Sequence, residues 1–308
     1  MDRRLWLGLA GGASLTGLGA AAYRTAPQFW QQYAREWQRG IQSPPYRPDP
    51  ASWPNRGLHG AWLGHSTVLL KVDGVTLITD PVFSDRVGIG LGPITLGVKR
   101  LVAPALDSSA IPRVDTILLS HAHFDHLDVP TLRHLEDPAT EVIAAPQTSD
   151  LLRAGRYERV RELPWGGRAQ AGPLSIRSFE VNHWGARMRT DTYRGYNGYV
   201  IDTMRYRILF AGDTAWTDTF RSVHSSRQVD VAIMPIGAYN PWIRYHCTPE
   251  QAWKMGNQAG AELFVPVHHQ TFQLSREPYL EPISRFHDAA GSAMDRVLVS
   301  RIGQEFHL

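Results

Sequence analysis

The segment Ser120-His121-Ala122-His123-Phe124-Asp125-His126-Leu127-Asp128 constrains this chain more than any other. It follows Thr116-Ile117-Leu118-Leu119-Ser120, a short apolar run that predicts a strand buried on both faces. It leads into a helix predicted over Val129–Leu135. Three imidazoles and a carboxylate set against a core strand are costly to bury without a metal or other partners. They supply nitrogen and oxygen donors at the spacing that a catalytic zinc pair needs.

One loop cannot close two metal sites, so further ligands are expected at other strand ends. His183 follows a predicted strand over Leu174–Glu180. Asp213 follows Phe210-Ala211-Gly212, where the glycine permits a tight turn. His268 ends the apolar run Leu263-Phe264-Val265-Pro266-Val267. Any one of these residues alone would be read as structural. All three at strand C-termini, downstream of the cluster, favour a ligand set.

The remaining pattern is that of an α/β domain. Ala61–Leu70 and Val75–Asp80 read as two strands joined by the hairpin signal Asp73-Gly74. Further strands are predicted at Glu141–Ala145, Gly198–Asp202, Arg207–Ala211, Val231–Pro235 and Arg296–Ser300. Helices are predicted at Thr148–Ala154, Pro249–Ala259 and Tyr279–Ala290. No internal repeat and no central linker divides residues 57–308, which read as one domain of two packed sheets flanked by helices. A chain of 308 residues can bury such a core.

Ahead of that domain the character changes. Arg3-Arg4 precede an uncharged stretch from Leu5 to Ala22, so residues 1–26 read as an export signal or a membrane anchor. The chain is accordingly expected to be membrane-associated or exported, on the periplasmic side. Residues 27–56 read as a short amphipathic helix followed by a Pro-rich extended linker. The net charge is +3, carried by arginine with only Lys71, Lys99 and Lys254 as lysines. Arginine suits bidentate recognition of phosphate. No block of basic residues marks a nucleic-acid arm, so no nucleic-acid partner is expected. Cys247 is the one cysteine, which excludes an intramolecular disulfide and a thiolate cluster.

The order His-x-His-x-Asp-His, then His183, Gly212-Asp213-Thr214 and His268, resembles the metallo-β-lactamase superfamily. Within it, Trp62–Thr67, Thr79–Ser84, Asn182-His183-Trp184, Ile236–Tyr239 and Val267–Phe272 resemble the N-acyl-phosphatidylethanolamine-hydrolysing phospholipase D family. The resemblance implies a four-layer αβ/βα sandwich with a dinuclear zinc site at the edge of the sheets. It implies that His121, His123 and His183 hold one zinc, that Asp125, His126 and His268 hold the other, and that Asp213 bridges them. It places His246 beside the substrate phosphate, making Asp125, Asp213 and His246 the catalytic candidates. One departure is His269, where the family pattern leads us to expect tryptophan.

A hydroxide shared by two zinc ions is the expected nucleophile, attacking phosphorus in line. His65, Asp80 and Asp128 are candidate outer partners of the ligands, while Arg187, Arg189 and Arg194 are candidates for the phosphate. Val87–Gly97, apolar and glycine-rich without helical period, reads as a mobile loop suited to an acyl chain or a bilayer. The expected substrate is therefore a phospholipid, with a membrane surface as partner and the oligomeric state open to a homo-oligomer. Among the rivals, a sugar-phosphate lactonase or a nuclease of the same superfamily would share all seven ligands. The first would lack the apolar loop, and the second usually carries a clamp or basic extension. A β-lactam hydrolase fits the Gly-Asp-Thr turn poorly. A non-catalytic metal scaffold is disfavoured by the complete ligand set.

Overall fold

The computed structural model describes residue 31, residue 34 and residues 36–92, 94–224 and 227–308. The export or anchor segment expected over residues 1–26 lies outside them. Among the described residues, no helix is long and apolar enough to cross a membrane.

Two sheets face one another. The first runs β15-β1-β2-β3-β6-β7-β8. Its strands are β1 (Leu58–Gly64), β2 (Thr67–Val72), β3 (Val75–Thr79), β6 (Thr116–Leu119), β7 (Glu141–Ala144), β8 (Arg159–Glu162) and β15 (Glu305–His307). The second runs β14-β13-β12-β11-β10-β9. It comprises β9 (Arg168–Ala171), β10 (Leu174–Phe179), β11 (Gly198–Asp202), β12 (Arg207–Phe210), β13 (Val229–Pro235) and β14 (Ala261–Val267). Helices are α1 (Val129–His134), α2 (Phe220–Val223), α3 (Pro249–Gln258) and α4 (Glu281–Ala290).

Strand periodicity explains the layers. Ile176, Ile201, Ile208, Ile233 and Val265 point inward and join Leu69, Ile78, Ile117 and Ile143 of the first sheet in one core. Their neighbours Val200, Leu209, Ala232, Met234 and Phe264 point outward and are covered by Ala252, Met255, Ile283 and Phe286 of α3 and α4. Strands covered on both faces carry few polar residues, which is why the apolar runs were legible as strands. The N-cap of α3 is a capping box, with Thr248 and Gln251 each satisfying the other's backbone N–H.

Four local expectations fail, for identifiable reasons. Ala61–Leu70 is not one strand but β1 and β2, split where His65 takes a left-handed φ of 51°. Thr148–Ala154 is not a helix but two 3-10 turns, Ser149–Leu151 and Ala154–Arg156. There the Glu162 carboxylate accepts the backbone N–H of Gln147, Thr148 and Ser149 at 2.7, 2.9 and 2.8 Å, tying the segment to β8. Arg296–Ser300 is no strand: a 3-10 turn ends at Arg296, and one isolated bridge joins Val297 to Phe264.

Val87–Gly97 is not an unstructured loop. It forms the antiparallel hairpin of β4 (Arg86–Leu91) and β5 (Ile94–Lys99), with Gly88 opposite Gly97. A Cβ at Gly88 would meet the Leu96 carbonyl oxygen at 2.1 Å, and one at Gly97 the Val87 oxygen at 1.9 Å. The glycines are there for this close approach of two backbones. The base of the hairpin packs through Val87 and Val98 with Val82, Phe272 and Phe124, beside the histidine cluster.

The Pro-rich stretch is also tied down. Trp53 is buried and donates its indole N–H to Glu305 at 2.6 Å, and Gln42 bridges to Val102. The buried Glu36 carboxylate accepts from Arg86 at 3.0 Å and from the Lys99 N–H at 2.9 Å.

Candidate metal centre

The ends of four strands bring the predicted residues together. His121 follows β6, His183 follows β10, Asp213 follows β12 and His268 follows β14. Gly212 makes the Asp213 turn with a φ of 60°, because a Cβ there would lie 2.7 Å from Ser120 and 2.8 Å from the Asn197 carbonyl oxygen. His268 itself has a left-handed φ of 65°, a conformation that costs a non-glycine residue about 1–2 kcal/mol and recurs at functional sites.

Four overlapping groups of donors result, two of which carry the six predicted ligands other than Asp213. Ligand atoms of His121, His123 and His183 lie within 4.8 Å of one another, as do those of His65, Asp125, His126 and His268. Asp213 lies between the groups. Its Oδ2 is 3.1 Å from Nε2 of His126 and of His268, 3.8 Å from Nε2 of His183 and 4.0 Å from Nε2 of His121. His246 approaches from the side, with Nδ1 3.7 Å from the same oxygen.

This arrangement fits cations. Nε2 of His126 and Nε2 of His268 are buried and face Asp213 without the alignment of a hydrogen bond, and Asp213 Oδ1 has no partner. Lone pairs of imidazoles converging on a carboxylate in a dry pocket are stable with a cation among them. The donors are nitrogen and oxygen only, a set that suits zinc, iron or manganese. Burial pushes the Asp213 carboxyl up, but His126 and His268 outweigh it and hold it well below the usual carboxylate range.

Outer partners orient the imidazoles. Nδ1 of His126 lies 2.7 Å from the buried Asp80 carboxylate, which also accepts the Ser120 N–H at 2.7 Å and the Ser120 hydroxyl at 2.5 Å. Nδ1 of His183 lies 2.8 Å from the Tyr245 carbonyl oxygen. Each contact assigns a proton to Nδ1 and leaves Nε2 free to ligate. His65 contacts Asp125 instead, at 2.9 Å.

Several candidates serve other ends. Asp128 accepts the hydroxyls of Ser84, at 2.6 Å, and Thr131, and so anchors the start of α1 and not a ligand. Arg187 donates to the carbonyls of Ala122, at 2.9 Å, and Leu127, at 2.7 Å, and stacks over Phe124, bracing the ligand loop. Arg194 is paired with Asp150 and Asp191. These two arginines are therefore engaged with the protein and do not serve as phosphate clamps. Arg189 is exposed. Cys247 is buried, its S–H facing the Pro235 carbonyl, with burial pushing the thiol up. His269 is buried against Trp62, ring centroids 4.5 Å apart. The roles of the Tyr245 carbonyl and of Arg187 had no signal in the sequence, since one is a backbone atom and the other reads as a surface charge.

A family model described as the β-lactamase superfamily domain matches residues 76–269, more than half of the chain. An uncharacterized protein of Mycobacterium tuberculosis is 32% identical over 294 residues, covering 89% of this chain and 76% of its own. N-acyl-phosphatidylethanolamine-hydrolyzing phospholipase D 1 of Caenorhabditis elegans is 29% identical over 244 residues, covering 73% of this chain and 68% of its own. Among solved structures, a metallo hydrolase from the archaeon Ignicoccus hospitalis superposes with a TM-score of 0.62 at 22% identity, over 82% of this chain and 99% of that one. An isothiocyanate hydrolase from Delia radicum gut bacteria gives 0.64 at 15% identity, over 81% and 98%. Those two likenesses concern the fold alone. The chain belongs to the metallo-β-lactamase superfamily. Within that superfamily it is a metal-dependent hydrolase.

Proposed function

We propose that the centre holds two zinc ions and that the enzyme cleaves a phosphodiester, in the manner of a phospholipase D acting on an N-acylphosphatidylethanolamine-type lipid. His121, His123 and His183 would hold one ion, Asp125, His126 and His268 the other, with Asp213 shared. Such a pair supplies Lewis acidity and a nucleophilic oxygen at neutral pH.

His246 carries this reading. Its side chain lies half-buried beside the centre, its buried Nδ1 has no hydrogen-bond partner, and it stands outside the two groups assigned here to the ions, although it also neighbours His183 and Asp213. Burial pushes its imidazole down to about 4, so at neutral pH it is uncharged and can donate from one nitrogen to a phosphoryl or leaving-group oxygen. Beside the centre Trp184 and Tyr245 are exposed, Trp184 packing on both His123 and Tyr245, and Trp242 and Ile243 of the same segment as Tyr245 are exposed as well. Exposed apolar residues beside a polar centre suit a substrate with acyl chains on a membrane surface. The similarity to the C. elegans enzyme, whose name specifies this lipid class, supports the same substrate. We also propose that the N-terminal stretch Leu5–Ala22 delivers the chain to or across a membrane.

Turnover of N-acylphosphatidylethanolamine by the zinc-loaded enzyme, followed by mass analysis, tests the reading. Phosphatidic acid plus an N-acylethanolamine is expected. Release of a free fatty acid, or opening of a sugar-phosphate lactone with no phosphodiester turnover, would overturn it.

A further inference from the structure

His65 sits at the break between β1 and β2, 1% exposed, and is held from three sides through its backbone. Its N–H donates to the Thr271 hydroxyl at 2.6 Å, and its carbonyl accepts the Trp62 indole N–H at 2.7 Å and the His268 N–H at 3.0 Å. The ring is wedged between His268, 4.1 Å away between centroids, and the edge of Phe272 at 5.2 Å. Little freedom remains for its side chain, and that side chain points at Asp125.

The contact is specific about atoms. Nε2 of His65 lies 2.9 Å from Asp125 Oδ2, and this same oxygen stands 3.6 Å from Nε2 of His126 and 3.6 Å from Nε2 of His268. An ionised carboxylate only accepts hydrogen bonds, so the proton of this contact belongs to His65. Nδ1 of His65 is buried without a partner. The ring is therefore the neutral tautomer protonated on Nε2. It occupies one lone-pair position of Oδ2 and leaves the other toward the space that His126 and His268 enclose.

We propose that His65 is a positioning residue: it fixes Asp125 as a ligand through Oδ2 and sets the affinity for the metal held by Asp125, His126 and His268, without ligating that metal itself. The inference rests on the metal centre and not on any substrate, so its failure and the failure of the phospholipid reading are separate results.

The test is stepwise zinc titration of metal-free protein against a chromophoric chelator. His65→Asn is the variant of choice, since asparagine tolerates the left-handed backbone at this position while its shorter side chain cannot reach Asp125. One affinity should weaken about 10–100-fold, the range for loss of an outer partner, while the other stays unchanged. In an Asp125→Asn background the same substitution should have no further effect on zinc affinity. Two unchanged affinities in a folded variant, or equal weakening of both, would overturn the proposal. A measurement on the unmodified zinc-loaded enzyme does not depend on the variant folding. In ¹⁵N–¹H histidine spectra His65 should appear as a neutral ring protonated on Nε2 and bound to no metal. A metal-bound nitrogen, or a proton on Nδ1, would overturn it equally.

Discussion

Nδ1 of His183 lies 2.8 Å from the backbone carbonyl oxygen of Tyr245, 62 positions away in sequence. The segment that delivers His246 to the centre therefore also orients the neighbouring candidate ligand, whose ring centroid lies 5.1 Å from that of His246. Because the acceptor is a carbonyl, the side chain at 245 is free to serve the pocket mouth. Tyr245→Ala should accordingly keep the wild-type metal content, whereas His183→Ala should lose metal. Metal analysis of both variants after dialysis checks this.

Asp80 is the acceptor for three buried donors: Nδ1 of His126, the Ser120 N–H and the Ser120 hydroxyl. Asp80→Ala leaves Nδ1 of His126 and the Ser120 N–H unsatisfied, at about 1–3 kcal/mol each where no water enters, while the Ser120 hydroxyl keeps Nδ1 of His121 at 2.9 Å. We expect a loss of roughly 2–5 kcal/mol in unfolding free energy. Zinc binding should weaken about 10–100-fold. Urea unfolding with and without metal separates the two effects.

His246→Ala should keep its metal and lose about 10²–10⁴-fold in kcat, the usual contribution of a positioned acid or donor. Asp213→Ala should lose metal and rate together, because Asp213 faces both donor groups. Equal metal loss in the two variants would assign His246 to the ligand set instead.

Acid should destabilise the protein partly through His269, whose imidazole burial pushes down to about 3 from an ordinary value near 6.5. Between those values the unfolded chain holds a proton that the folded chain lacks. Stability from this residue is thus complete above pH 6.5 and declines as pH falls from 6.5 toward 3, by up to about 1.4 kcal/mol per pH unit. His269→Phe keeps an aromatic ring against Trp62 and should flatten the decline. Denaturant midpoints at pH 7 and pH 5, compared between wild type and variant, give the measurement.

The outer part of the β4–β5 hairpin, whose base packs near the centre, exposes Ile89, Leu91 and Ile94. If this face meets a bilayer, Leu91→Ser together with Ile94→Ser should remove about 2–4 kcal/mol of apolar burial. Vesicle binding should then fall at least about tenfold, at 1.4 kcal/mol per tenfold. Hydrolysis of a short water-soluble phosphodiester should be unchanged. Cosedimentation with phosphatidylethanolamine vesicles reports the first quantity and a soluble assay the second.

The sequence by itself determined the two-sheet α/β class and the residues that meet at its edge. Apolar runs such as Thr116–Leu119 can only be strands covered on both faces, and histidines and aspartates placed directly after them end at the same edge. Its errors were local and share a cause. The glycines of Val87–Gly97 looked like looseness until each was seen opposite the other strand's backbone, and Thr148–Ala154 looked helical until Glu162 claimed its N–H groups. What only the tertiary structure decided is who orients whom: Asp80 with His126, the Tyr245 carbonyl with His183, His65 with Asp125, and Arg187 with the ligand loop. Those pairings join residues about 46 to 65 positions apart and are set by how the sheets close on one another, which no local pattern encodes.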